Sequence, residues 1–395
     1  MINILLLGTV RPFGNKGDEA IYITTVNLIK KYLPNSKVVL ASFEPRKALK
    51  QYHVDAAIWH PMGYPFGLIA ERIPSGSILK RIIKFVSYRT PPYVSALSLK
   101  LFSSQYREIY SDADLYVVLS FPFEKEGFPV YVTSCSIERY YDPRKPILIF
   151  PISISTSVLY GRRKNIVKRS LSKANIVFTR GEYTTKILRK SLNLKNVLTA
   201  FDPAVLLPKV DPVFKPSGGV AITPAGLIKH PKVLAKLVDA LIEKLGIDCW
   251  IVPTSIGDVR ESFLGLIKNA HMCSIINTEK MSPFEVKGFL SHVDVLITAR
   301  VHAAIFALSE NVPAVAILRE DDVKFYDVLG AFGLDHLIYN INYFDLENVL
   351  NKIVQSVSII LNRKKQFVNI IRERKQDVIK KAENPGLLLR RVLTC

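Results

Sequence analysis

The chain is poor in the residues from which metal clusters and disulfide frameworks are built. Its four cysteines, Cys135, Cys249, Cys273 and Cys395, stand far apart and form no CxxC pair, so neither a zinc site nor a disulfide scaffold is expected and the thiols read as reduced core or tail residues. His53, His60, His230, His271, His292 and His336 show no metal-ligand spacing. Long apolar runs are also missing. The longest charge-free stretch, Pro146 to Gly161, falls short of the roughly 18 to 20 apolar residues of a membrane helix and contains Pro151. No basic flank precedes the apolar run Ile2 to Leu7, so a secretory leader is not expected and the chain reads as cytoplasmic. Acidic residues are scarce as well: 34 Asp and Glu stand against 54 Lys and Arg, a net charge of +20.

An excess of that size spreads positive potential over the surface and favours anionic partners. There is no zinc-finger pattern and no aromatic RNA-recognition motif, which sets nucleic acid aside and leaves an anionic membrane face or small anionic substrates. Two basic clusters, Lys80-Arg81 with Lys84 and Arg89, and the amphipathic stretch Arg363 to Lys381, read either as solvated faces or as peripheral contacts with the inner membrane face.

At 395 residues the chain exceeds what one hydrophobic core supports, and two domains are expected. Short β-branched runs alternate with helical patterns, the signature of parallel sheets covered on both faces. The runs are Ile2 to Leu7, Lys37 to Ala41, Leu115 to Leu119, Ile147 to Ile152 and Ile176 to Thr179, then Val220 to Thr223, Asp248 to Val252, Val293 to Ile297 and Ala314 to Ile317. Helices are expected over residues 19 to 32, before Pro34, and over Pro231 to Leu245. The Pro- and Gly-rich stretch 208–219 reads as a linker. The expected organisation is therefore α/β with two Rossmann-like doubly wound domains facing a cleft: residues 1–207, with an irregular insertion near 61–92, and residues 220–360, followed by a basic helix and tail over 361–395.

Two strand-to-helix junctions carry the residues suited to chemistry. The first reads Gly14-Asn15-Lys16-Gly17-Asp18-Glu19. It occupies the slot where helix amides meet an anion, but it lacks the GxGxxG spacing, and Asp18 and Glu19 would compete with a phosphate. The plain alternative is that Asp18 caps the helix while Gly14 and Gly17 supply turn geometry. The second junction reads Thr298-Ala299-Arg300-Val301-His302-Ala303. In extended chain Arg300 and His302 share one side, and a helix starting near Ala303 would add free amides, which together suit carboxylate or phosphate. The plain alternative pairs Arg300 with a carboxylate and lets His302 cap the helix. Arg180, at the end of its strand, and Lys324, after the acidic run Glu320 to Asp322, are further cations that could meet an anion or form surface ion pairs.

With these residues in view, the chain resembles the polysaccharide pyruvyl transferase family. The resemblance rests on Gly14 to Ala20, Arg180, Asp202-Pro203-Ala204, Arg300-Val301-His302-Ala303, and Val312-Pro313-Ala314-Val315 running toward Lys324. It implies a fold similar to the type B glycosyltransferases, and transfer of the pyruvyl group of phosphoenolpyruvate onto a sugar, free or lipid-linked, as a ketal. It further implies Arg300 and Arg180 on the donor, His302 on the phosphate and its departure, Asp18 on an acceptor hydroxyl, Asn15, Gly17 and Lys324 in substrate binding, and no metal or organic cofactor. Where the family carries glycines this chain has Ser120-Phe121-Pro122-Phe123 and Pro151-Ile152-Ser153-Ile154-Ser155, on the expected acceptor side. Two other readings remain: a type B glycosyltransferase using a nucleotide sugar, and a non-catalytic polysaccharide-binding relative.

Overall fold

A computed structural model describes residues 1–8, 14–42, 44–59, 110–119, 142–154, 156–224, 231–255, 261–318, 323–341 and 346–394. The expected insertion near 61–92, the cluster Lys80 to Arg89, the departure at 120–123, Cys135 and Cys395 lie outside them.

The chain divides into two compact units. Unit 1 comprises Met1–Pro12, Tyr22–Ala200 and Glu383–Cys395, and unit 2 comprises Phe13–Ile21 and Phe201–Ala382. The sequence reading draws contiguous domains, whereas these units are discontinuous: the start of the first helix groups with the second unit, and the end of the last helix groups with the first.

Unit 1 is built on strands β1 (Ile2–Leu7), β2 (Ser36–Ser42), β3 (Ala56–Trp59), β4 (Leu115–Val118), β5 (Ile147–Ile152), β6 (Ile176–Thr179) and β7 (Val197–Thr199), in the order β3-β2-β1-β4-β5-β6-β7. Unit 2 repeats the plan with β8 (Val220–Thr223), β9 (Cys249–Ile251), β10 (Cys273–Ile275), β11 (Val295–Thr298), β12 (Ala314–Leu318) and β13 (Ile338–Asn340), ordered β10-β9-β8-β11-β12-β13. Each pairing between these strands is parallel. Each order reverses direction beside its first strand, a topological switch point where open α/β sheets bind ligands.

The helices are α1 (Lys16–Tyr32), α2 (Pro45–Gln51), α3 (Gly161–Ser172), α4 (Glu182–Leu192), α5 (Pro231–Leu245), α6 (Pro283–Leu290), α7 (Val301–Ser309), α8 (Lys324–Ala331), α9 (Leu346–Asn362) and α10 (Lys364–Thr394). In unit 1, one core cluster joins Leu5, Leu7, Tyr116, Val118, Ile149 and Val177 to Val167 and Leu171 of α3 and Leu188 and Leu192 of α4. This is the continuous apolar character that strands buried on both faces require.

The basic helix α10 uses its apolar stripe for packing: Phe367, Ile371, Val378 and Ala382 are buried, at spacings of four and seven residues. Beyond residue 382 it returns to α1, where Glu383 pairs with Lys31 at 2.7 Å and Arg390 Nε donates to the Tyr32 carbonyl at 2.7 Å. Among the described residues no helix is long and apolar enough to cross a membrane. Cys249 and Cys273 are free, buried, and register partners on adjacent strands; burial pushes the Cys273 thiol up to about 12.

Candidate functional site

Strands β8 and β11 pair side by side at the unit 2 switch point, with Thr223 and Thr298 as register partners at their carboxyl ends. Both threonines are buried and their hydroxyls bond each other. Thr298 Oγ1 also accepts from the Arg300 amide at 2.8 Å and donates to the Arg300 carbonyl at 2.9 Å. One hydroxyl thus folds the backbone over itself and sets the angle at which the chain leaves the sheet.

The helix that follows starts at Val301, two residues earlier than the sequence suggests. Arg300 is its N-cap, extended at φ −119° and ψ 118°, and His302 sits in the first turn rather than beside Arg300 on a strand. Nor does His302 cap the helix: the N-cap is Arg300, whose side chain makes no cap bond. A helix leaves its first amides without intrahelical acceptors. Here no side chain closes back on them, the first turn holds no acid, and the amides of Val301, His302 and Ala303 meet no protein acceptor among the described residues. From Val301 to Ser309 all but His302 are buried, so packing holds this open end in place.

The first junction is built the opposite way. The plain alternative, in which Asp18 caps α1, does not hold: Asn15 caps it, its Oδ1 accepting from the amides of Gly17 at 3.1 Å and Asp18 at 3.4 Å. The Lys16 amide donates to the Thr254 carbonyl at 2.9 Å, and the Glu19 amide to the Asn15 carbonyl at 3.0 Å. Glu19 Oε1 in turn accepts from the Gly14 amide at 3.0 Å, where Gly14 takes the left-handed φ of 79° that glycine permits. All four amides of this first turn are engaged by protein, so α1 offers none to an anion. An isolated antiparallel bridge, Asn15 with Ser255, ties the junction to unit 2.

These two junctions meet. A Cβ added to Gly17 would lie 2.1 Å from Nδ1, 2.3 Å from Cγ and 2.4 Å from Cβ of His302, so the imidazole rests directly on the Gly17 backbone. The following residue, Asp18, is 4% exposed. On the other side of the ring, His302 Nε2 lies 3.5 Å from Asp202 Oδ2, a contact at the outer limit of a hydrogen bond. Asp202 is wholly buried, and its Oδ1 accepts from the Ala204 amide at 2.9 Å to cap the 3₁₀ turn Pro203–Leu206.

That turn is itself held by Lys287 of α6, which is 2% exposed, donates to the carbonyls of Val205 and Leu207, and pairs with Glu310 at 3.3 Å. Burial pushes the Lys287 ammonium down to about 8, with Glu310 opposing.

Asn15, Gly17, Asp18, Arg300 and His302 all belong to unit 2, and the contacts above bring Asn15, Gly17 and His302 together. Lys324 opens α8 in the same unit, after β12. Arg180 directly follows β6 in unit 1, is 1% exposed, and donates its amide to the Ile152 carbonyl at 2.8 Å. Two residues of the site have no role in the sequence reading. Thr298 carried no signal beyond its place at a strand end. Asp202 stands before a proline as a turn cap does, but nothing local points from it to His302, 100 residues later.

The sequence matches the profile of the polysaccharide pyruvyl transferase family over residues 15–321, a span that holds Asn15, Gly17, Asp18, Arg180, Arg300 and His302 but not Lys324. None of the curated proteins matches it. Several solved structures are similar in fold. One is UDP-GlcNAc 2-epimerase from Neisseria meningitidis bound to UDP-GlcNAc, at TM-score 0.62 and 13% identity over 100% of both chains. Another is a putative UDP-N-acetylglucosamine 2-epimerase from Listeria monocytogenes, at TM-score 0.62 and 13% identity over 99% of this chain and 96% of that one. A third is a glycosyltransferase from Rickettsia africae, at TM-score 0.55 and 13% identity over 100% of this chain and 98% of that one. At such identities the likeness is one of fold, that of the type B glycosyltransferases. The family profile covers most of the chain and runs through both junctions, and the chain belongs to the polysaccharide pyruvyl transferase family.

Proposed function

We propose that the protein transfers the pyruvyl group of phosphoenolpyruvate onto two hydroxyls of a sugar, in a cell-surface polysaccharide or its precursor, as a ketal. The observation that carries this reading is the open N-terminus of α7. Three amides that meet no protein acceptor among the described residues, the Arg300 guanidinium and the His302 imidazole belong to one strand-to-helix turn at a switch point. A donor with a carboxylate and a phosphate close together needs such a set of donors and cations.

In the reaction, the methylene carbon of phosphoenolpyruvate takes a proton, a sugar hydroxyl bonds to the adjacent carbon, the bond to the phosphate oxygen breaks, and a second hydroxyl completes the ketal. Of the two hydroxyl protons, one ends on the new methyl group and one on inorganic phosphate. Arg300 binds the anionic donor and stabilises charge on the leaving group. His302 serves the departing phosphate as proton donor. Asp18 orients or deprotonates an acceptor hydroxyl, with Asn15 and Gly17 holding its helix start. Arg180 and Lys324 are assigned to anionic substrate as further cations. The chemistry as written calls for no metal or organic cofactor. A lipid-linked oligosaccharide at an anionic membrane face is an acceptor suited to a chain of net charge +20.

The test is calorimetric titration of phosphoenolpyruvate into the wild type, Arg300→Ala and His302→Ala. Loss of affinity in both variants is expected, and unchanged affinity in both removes the donor assignment. Heat from UDP-N-acetylglucosamine with none from phosphoenolpyruvate would favour a nucleotide-sugar enzyme. Labelled phosphoenolpyruvate bound but never incorporated into a polysaccharide precursor would favour a non-catalytic relative.

A further inference from the structure

We infer that Asp202 is a positioning residue for His302: it holds the proton of the ring on Nε2 and leaves Nδ1 as the nitrogen that works on substrate. The inference deepens the pyruvyl transfer reading and rests on it for the substrate, but not for the pair itself.

The geometry supplies the argument. Asp202 is wholly buried, and its two oxygens have separate employment. Oδ1 is held by the Ala204 amide at 2.9 Å, and Oδ2 faces His302 Nε2 at 3.5 Å. Nε2 is itself sealed from solvent. A buried carboxylate oxygen opposite a buried ring nitrogen favours a proton between them, because a lone pair facing a lone pair there would be costly. Nδ1 lies at Gly17, where a side-chain carbon would sit 2.1 Å from it and where there is none. The missing side chain leaves room for the Nδ1 edge of the ring beside Gly17, while Asp202 faces the sealed nitrogen Nε2. With the neutral ring protonated on Nε2, Nδ1 can take a proton and later give it up; the carboxylate stabilises the imidazolium in between, as in other histidines backed by a buried acid. In the proposed reaction that proton passes from Nδ1 to the departing phosphate oxygen, and the ring returns to its neutral Nε2-protonated form.

The turn bearing Asp202 is rigid for a reason independent of substrate. Lys287 donates to the carbonyls of Val205 and Leu207 and pairs with Glu310, all within unit 2. The carboxylate is therefore presented from a fixed support.

Asp202→Asn is the informative variant. Asparagine keeps a cap-competent oxygen for the Ala204 amide and so turns its NH₂ toward His302 Nε2. That nitrogen must then accept, and the ring proton moves to Nδ1. The experiment is ¹⁵N spectroscopy of histidine side chains in the full chain, with His302→Gln used to assign the resonance, at a pH about two units above the ordinary imidazole value of ~6.5. The wild type is expected to show Nε2–H and Asp202→Asn to show Nδ1–H, with pyruvyl transfer falling by at least ~100-fold in the variant and phosphoenolpyruvate affinity changing less than ~3-fold. A wild-type ring protonated on Nδ1, or a tautomer identical in both proteins, overturns the inference. If the tautomer switches but the wild type transfers no pyruvyl group, the pair stands and the proposed reaction falls.

Discussion

Replacing Gly17 by alanine sets two effects of opposite sign against each other. Gly17 lies inside the first turn of α1 and has no left-handed backbone, so helix propensity alone predicts that alanine stabilises by up to ~1 kcal/mol. The new carbon, however, would stand 2.1 to 2.4 Å from Nδ1, Cγ and Cβ of His302. Rotating the imidazole relieves the first two contacts but not the third, because His302 Cβ is bonded directly to the α7 backbone. Restoring an ordinary separation of ~3.5 Å therefore needs roughly 1 Å of displacement between the start of α1 and the start of α7. Overpacking of this kind costs about 1–3 kcal/mol, enough to outweigh the propensity gain. The variant should melt several degrees lower, at roughly 2–4 °C per kcal/mol, and lose phosphoenolpyruvate affinity as His302 is displaced. Gly330→Ala is the control: a Cβ there meets nothing within 4 Å, and the same substitution in α8 should leave melting unchanged or raise it slightly. Thermal unfolding and calorimetry on both variants decide the matter. A Gly17→Ala protein as stable as Gly330→Ala, with wild-type affinity, would refute the close approach of the two junctions.

Asn15→Ala removes the cap of α1 and should cost about 0.5–2 kcal/mol in denaturant unfolding, while Asn15→Asp should recover most of it. Gly288→Ala places a carbon 2.0 Å from the backbone oxygen of Val210, which cannot swing aside, so a loss of about 1–3 kcal/mol is expected in the same assay. Lys287 gives a pH signature. Its ammonium titrates at about 8 when folded against an ordinary 10.5, so between those values the unfolded chain holds more protons and the contribution of this group to stability rises with pH, by an amount on the order of 3 kcal/mol across the window. Lys287→Met should abolish that rise between pH 8 and 10.5, whatever its effect on absolute stability. An identical pH slope in both proteins would place the buried charge elsewhere.

Much of the architecture was legible from residue pattern, and the failures follow a rule. The interior strands β1, β4, β5, β8, β11 and β12 are runs of apolar residues because both of their faces are covered. The strands absent from the sequence reading, β3, β7, β10 and β13, are the four edges of the two sheets. They have three or four residues each, and Leu198 of β7 is 41% exposed. An edge strand is paired on one side only and needs no continuous apolar run. The capping residue of α1 failed for a different reason. Asn15 and Asp18 are equally competent caps, and what selects Asn15 is the bridge to Ser255 and the bond from Lys16 to Thr254, more than 230 residues away.

By itself the sequence determined the α/β class, the parallel sheets and the two junctions where chemistry can reside, because burial and helix-start signals are local and repeat every few residues. It also carried the family motifs. Only the tertiary structure decided that the two junctions meet at Gly17 and His302, that α1 closes its amides while α7 leaves its own open, and that Asp202 stands behind the imidazole. The first and the last are relations between residues 100 or more apart, and no local propensity encodes them.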